Sequence, residues 1–305
     1  MDLRSIFVNR HDEIRSGWKI LMYLLLTTVV TLLLVAPFMI LKLRIAILEP
    51  LIVLISALAA AYVMTRYVNR KPFTAIGLSF HPATFKEFGI GCLLGFLMMS
   101  GIFVVEFSLG YTVLTWKGLE PHQLLGVVGY SAALFAIAAL AEEVLFRGYT
   151  LQTLMQGMTF LPATILMAVV FSIAHASNPN ASVFALTNVG LAAIWLSFAY
   201  LKTRSLWLPF GLHFSWNFSQ TTVYSFPTSG IQFEDMRLFT AAQSGPEWIT
   251  GGAFGPEGGV LATVAIISCI WYILKEKQIN APEGIITLDS VEDLLKQGRT
   301  EGEAA

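Results

Sequence analysis

Ala139-Leu140-Ala141-Glu142-Glu143-Val144-Leu145-Phe146-Arg147-Gly148 is the stretch on which the reading of this chain turns. It closes an apolar run, Leu124 to Ala141, that carries no charge. Two adjacent carboxylates and an arginine then stand where hydrocarbon is expected. On insertion scales each Asp, Lys or Arg at a helix centre costs about 2.5–3.5 kcal/mol, and Glu is expected to behave similarly. Such groups need partners or a wet cavity. On a helix Glu143 and Arg147 are i,i+4 neighbours and pair directly. Glu142 points about 100° away from Glu143 and is left for other work. The plain alternative is a solvated helix end at the headgroup boundary. Polar groups at membrane depth elsewhere in the chain weigh against it.

Composition sets the class. The chain has 305 residues, 55% hydrophobic and 13% charged, with mean hydropathy +0.67. Soluble domains carry about a quarter charged residues, so this is an integral membrane protein. A net charge of −1 argues against nucleic acid as a partner. Cys92 and Cys269 sit singly in apolar runs, which gives neither a disulfide framework nor a cysteine metal site. The first apolar segment, Gly17 to Leu41, exceeds a signal-peptide core and reads as a retained transmembrane helix.

Apolar spans are expected at 18–41, 45–64, 88–110, 122–143, 160–176, 182–201, 206–225 and 258–274, an all-α polytopic bundle of about eight transmembrane helices. Residues 1–119 hold the first three spans, 120–275 a second membrane domain with the remaining five, and 276–305 a polar tail. With the N-terminus in the cytoplasm, the inner segments carry fifteen Lys and Arg and the outer loops four (Lys42, Arg44, Lys117 and Arg237). This bias predicts a multi-pass cell-membrane protein with both termini cytoplasmic. Glu49 and Glu106 read as interfacial or bundle-facing, with no chemistry attached. The longest loop, about 226–257, ends in the glycine-rich Thr250-Gly251-Gly252-Ala253-Phe254-Gly255-Pro256-Glu257-Gly258-Gly259. It permits tight turns and close backbone approach. Lacking a Gly-Lys-Ser/Thr ending, it is not a phosphate loop. The tail suggests one short amphipathic helix with Asp289 or Ser290 as cap and Val291, Leu294 and Leu295 on its apolar side.

Two later spans carry further polar groups. His175 follows Phe171 by one turn in the fifth; His213 and Asn217 share a face of the seventh. One transmembrane histidine is ordinarily a satisfied hydrogen-bonder. Two Glu, an Arg, two His and an Asn on the fourth, fifth and seventh spans instead point to a shared site. These residue types suit hydrolysis: a carboxylate and a neutral imidazole hold water and take its proton, while a second histidine and an amide stabilise an oxyanion. Ser172 and Ser215 lack the context of an activated nucleophile.

Glu142-Glu143-x-x-x-Arg147, Phe171-x-x-x-His175 and His213-x-x-x-Asn217 resemble, in order, the three motifs of the CPBP family. That family comprises type II CAAX prenyl endopeptidases and bacterial bacteriocin-processing or immunity-related membrane proteases. The resemblance covers about residues 120–225, and the glycine-rich stretch is similar to some bacterial members. It implies an intramembrane endopeptidase acting on a membrane-embedded peptide or protein substrate, prenylated or not. Glu142 would be the general base with His175, and His213 and Asn217 the oxyanion site. Glu143, Arg147 and Phe171 would support the geometry. No cofactor is favoured; zinc on Glu142, His175 and His213 is the alternative. A non-catalytic scaffold or immunity protein, or less readily a proton-coupled transporter, are the rival functions. One geometric tension remains. If the fourth helix ends near Glu143, His175 lies too deep to reach it; the two meet only if that helix continues toward Met155 or a break or tilt lowers the fifth, and a broken or strongly tilted fourth helix is expected.

Overall fold

The structure, a computed structural model, describes residues 4–9, 12–43 and 45–289. Eight helical elements of ten residues or more follow in the expected order among them. α1 is Ser16–Ile40, α2 Leu48–Asn69, α3 Thr84–Ser108, α4 Pro121–Met155, α5 Phe160–Ala174, α6 Val183–Thr203, α7 Trp207–Phe218 and α8 Val260–Lys275. Five of them, α1 to α4 and α6, are long and apolar enough to cross a membrane. α5 and α8 are apolar but shorter, with 15 and 16 residues. α7 has 12 residues before it loosens into a wide-turn segment, Ser219–Val223. It lies inside the bundle, with Leu208, Phe210, Leu212, His213 and Trp216 all buried. The outer helices present apolar side chains instead: Leu25, Leu32 and Leu33 of α1 are exposed, as a lipid-facing helix requires.

The tightest packing joins α3 to α7. Gly91 and Gly95 of α3 are four apart and meet Gly211 and Ser215 of α7, also four apart. A Cβ at Gly91 would press on the Leu208 carbonyl, and one at Gly211 on the Phe88 carbonyl. This is the small-xxx-small crossing of membrane helices. It fixes the helix carrying His213 against a rigid neighbour.

α4 begins at Pro121 behind a capping box, in which Glu120 and Gln123 satisfy each other's backbone amides. It does not end near Glu143. The chain continues to Met155 through wider, π-type turns over Val144–Leu151. Partners exist for the shifted backbone: Thr150 Oγ1 donates to the Leu145 carbonyl (2.7 Å) and Gln152 Nε2 to that of Gly148 (2.8 Å). The expected break in the fourth helix is therefore absent. From Glu142 to Met155 the helix rises roughly 20 Å, and from Phe160 to His175 roughly 22 Å. The short turn between Met155 and Phe160 thus brings both groups to one depth. Of the two ways in which the groups could meet, the structure takes the continuation of α4 toward Met155.

The two ends of the bundle differ. At one, Lys19 Nζ donates to Gln156 Oε1 (3.0 Å), and Gln156 Nε2 to the Leu288 carbonyl (2.9 Å). Lys71 Nζ reaches the Thr287 carbonyl (2.8 Å), and Arg204 pairs with Asp289. Residues 276–289 therefore strap this end, with Leu288 buried, instead of forming a free polar tail. The amphipathic helix expected after Asp289 lies outside the described residues. At the other end stands a feature the all-α expectation lacked, an antiparallel pair of strands, β1 Thr112–Trp116 and β2 Phe239–Gln243. Glu106, fully buried, holds it to α3: its Oε2 accepts from Thr112 Oγ1 (2.7 Å) and Gln243 Nε2 (3.1 Å).

Candidate active site

Glu143 and Arg147 form the predicted i,i+4 pair, Nη1 to Oε1 at 3.1 Å, with side chains 0% and 1% exposed. Arg147 Nη2 also donates to the Ala193 carbonyl of α6 (3.1 Å). Its guanidinium lies over the ring of Phe171 at 5.1 Å and near that of Phe146 at 5.9 Å. The same Glu143 Oε1 accepts from His213 Nδ1 at 2.8 Å. One buried carboxylate thus joins α4, α6 through its arginine, and α7. The imidazole of His213 is held with Nδ1–H on Glu143 and Nε2 facing Glu142 Oε2, 3.8 Å away.

Glu142 points where the helical angle predicts, away from the pair, with a third of its side chain exposed. It lines a cavity of about 470 Å³ together with Phe171, His175, His213 and Asn217. His175 caps the end of α5, and its Nδ1 faces the Phe171 carbonyl at 2.9 Å. A carbonyl only accepts, so Nδ1 carries the proton and Nε2 keeps its lone pair. Phe171 packs against that imidazole at a tilt, ring centroids 4.5 Å apart and planes 38° from parallel. The amide of Asn217 makes no hydrogen bond among the described residues and is half-buried at the cavity wall. All seven residues expected at the site are thereby brought together, four of them on the cavity with Phe171 and two, Glu143 and Arg147, behind it.

Several lining residues escaped the sequence reading. α6 supplies a wall, with Asn188, Ala192 and Trp195. The turn after α5 supplies Asn178, whose Nδ2 donates to the Ser229 carbonyl (2.9 Å). Glu257, at the end of the glycine-rich stretch, also reaches the cavity, as does Glu49 of α2. The one sequence signal for Glu257 was the glycine density around it.

For zinc, the donors stand as follows. Among the described residues no three of His, Cys, Asp and Glu gather as a ligand set. His213 Nδ1 is held by Glu143, and its Nε2 and Glu142 Oε2 are 3.8 Å apart, near the spacing of two ligands on one ion.

Comparison with known proteins gives two similarities. The chain is 22% identical over 211 residues to a protein of Bacillus subtilis (strain 168) described as "Uncharacterized protein YyaK", across 65% of this chain and 67% of that one. No solved structure matches it. Residues 123–219, which run from α4 to α7 and contain every residue expected at the site, match the family described as type II CAAX prenyl endopeptidase Rce1-like. Over this segment, about a third of the chain, the protein is similar to that family.

Proposed function

We propose that the protein is an intramembrane endopeptidase that cleaves a peptide bond of a membrane-associated substrate with a water activated by Glu142 and His175. The observation carrying this reading is the convergence of Glu142, His175, His213 and Asn217 on one cavity at a common depth, with the buried Glu143–Arg147 pair behind it.

The chemistry follows from the atoms. A water placed between Glu142 and His175 donates one hydrogen bond to Nε2 of the imidazole and gives its other proton to the carboxylate. The hydroxide so formed attacks the scissile carbonyl, making the new C–O bond. Negative charge passes to the carbonyl oxygen. Asn217 Nδ2 and His213 Nε2–H stabilise it, the latter requiring a proton on both ring nitrogens, each of which faces a carboxylate at rest. Collapse of the tetrahedral intermediate breaks the C–N bond, and Glu142 returns its proton to the leaving amine. Glu143 orients His213, and Arg147 holds Glu143.

The basic residues supply an orientation. Arg147 leaves the inner tally because it lies within α4 and not in a loop, which makes the bias fourteen to four. The end bearing residues 276–289 is then cytoplasmic, and the β1–β2 ribbon lies outside.

The test is mass spectrometry of membrane peptides from cells expressing the wild type or Glu142→Gln, at matched insertion. Peptides that appear only with the wild type support the reading, and identical profiles refute it. Chelator dialysis beside elemental analysis decides the metal. Cleavage by metal-free protein is expected. Stoichiometric zinc with chelator-sensitive, zinc-restored cleavage would overturn the metal-free route.

A further inference from the structure

The mechanism above leaves the glycine-rich stretch without a task. In the structure its task is to carry Glu257 into the cavity. Gly251 (φ +76°) and Gly255 (φ +95°) adopt the left-handed region, and a Cβ at either would collide with a carbonyl oxygen, that of Gly255 or of Pro227. The loop therefore lies directly on the 227–230 turn. Asn188 Nδ2 of α6 holds the main chain at both sides, donating to the carbonyls of Glu257 (2.8 Å) and Gly259 (2.9 Å). Thr263 Oγ1 fixes that amide by donating to its Oδ1 (2.7 Å).

The carboxylate of Glu257 is fixed just as firmly. Oε1 accepts from Trp216 Nε1 (3.1 Å), and Oε2 from the Ser229 backbone N–H (2.6 Å) and Oγ (2.7 Å). Every one of these donors is neutral. Oε1 keeps a lone pair, since a carboxylate has about four acceptor sites. Of the charged side chains lining the cavity, Glu49, Glu142 and Glu257 are carboxylates, and none is lysine or arginine. Glu142 has His213 beside it; Glu257 has no cation in salt-bridge contact among the described residues. In a cavity whose remaining wall is mostly apolar, an opposite charge that arrives with the substrate is strongly favoured there and a like charge is strongly rejected. Glu257 lines the same cavity as Asn217, and its carboxylate is held by Trp216, the residue before Asn217 on α7, so we place the position it reads in the cavity that also holds the proposed oxyanion site.

We infer that Glu257 is a specificity-determining residue that selects substrates placing a basic side chain or free amine beside the scissile bond, and disfavours those placing a carboxylate there. The inference rests on the peptidase reading of the cavity, but its test is a binding measurement, so the two fail separately.

The probes are three acylated, fluorescent peptide amides with one apolar sequence, differing at a single residue that is lysine, norleucine or glutamate. The full chain carrying Glu142→Gln, which prevents consumption of the probes, is reconstituted in phosphatidylcholine nanodiscs, so that the lipid adds no net charge. Affinities are read by anisotropy, with and without a second change, Glu257→Gln. The lysine peptide should bind about tenfold or more tightly than the norleucine peptide, and the glutamate peptide more weakly than either. Glu257→Gln should remove most of that spread while leaving the norleucine affinity within about twofold. Equal affinities for the three peptides, no measurable binding of any, or a spread that survives Glu257→Gln overturns the proposal. The spread in the Glu257 protein decides the matter by itself if Glu257→Gln does not fold. Incubating the wild type with the same peptides tests the other reading independently: binding with the expected order but no cleavage removes the peptidase and keeps the recognition.

Discussion

Replacing Arg147 by methionine isolates the energetics of the buried pair. Methionine keeps the length and much of the volume of the side chain, so the cavity left behind is small. What goes is the 3.1 Å bond to Glu143, the 3.1 Å bond to the Ala193 carbonyl and the ring contact at 5.1 Å. Glu143 remains fully buried, with His213 as its one partner among the described residues. Breaking one side of a buried pair costs roughly 3–5 kcal/mol, and at a few degrees per kcal/mol the Tm should fall by roughly 6–15 °C. The free thiols Cys92 and Cys269 report the transition, Cys269 being buried and accessible to a thiol-reactive dye on unfolding. The double variant Glu143→Gln/Arg147→Met removes both charges and should recover about half of the loss or more. Single variants within about 1 °C of the wild type, or a double variant whose loss is the sum of the singles, would show that the pair is solvated and that α4 is misplaced.

Asn217→Ala should lower turnover by roughly 10²–10³ with substrate binding little changed, and His175→Ala by about the 10²–10⁴ of lost general-base catalysis; single-turnover assays in proteoliposomes separate the two terms. Reporter fusions after Arg70, Lys202 and Lys275 should read cytoplasm and fusions within 228–250 the outside, and opposite results at two or more sites would reverse the orientation. Gly255→Ala meets both a left-handed φ and the Pro227 carbonyl; it should lower the Tm in the same dye assay through about 1–3 kcal/mol of strain, whereas an unchanged Tm would mean that the loop does not lie on the 227–230 turn.

The chain's own letters went a long way toward the site because the solvent makes them informative. In hydrocarbon an unpaired charge is so costly that Glu142, Glu143 and Arg147 announce a partner, and the i,i+4 spacing names it. The same spacing put His213 with Asn217 and Phe171 with His175. The π-type turns of Val144–Leu151 left no mark, because a helix widens wherever side chains such as Thr150 and Gln152 satisfy the displaced carbonyls. The β1–β2 pairing was invisible for a different reason. Its strands are short, lie far apart in the chain, and are tied down by Glu106, a buried carboxylate to which no partner could be assigned in advance. Glu257 was hidden among glycines whose necessity shows only when the neighbouring carbonyls are in place. Leu288 belonged to a segment polar enough to pass for solvent-exposed chain.

The brevity of α5 bears on a stoichiometric demand. Every peptide bond hydrolysed consumes one water, and the middle of a bilayer supplies almost none. With 15 residues the helix is roughly 22 Å long, about 8 Å less than the usual hydrocarbon thickness. Its last turn is replaced by the polar turn that carries His175 and Asn178. On the peptidase reading proposed above, that shortfall of a turn and a half would let headgroup water reach Glu142 past the end of α5 without a dedicated channel.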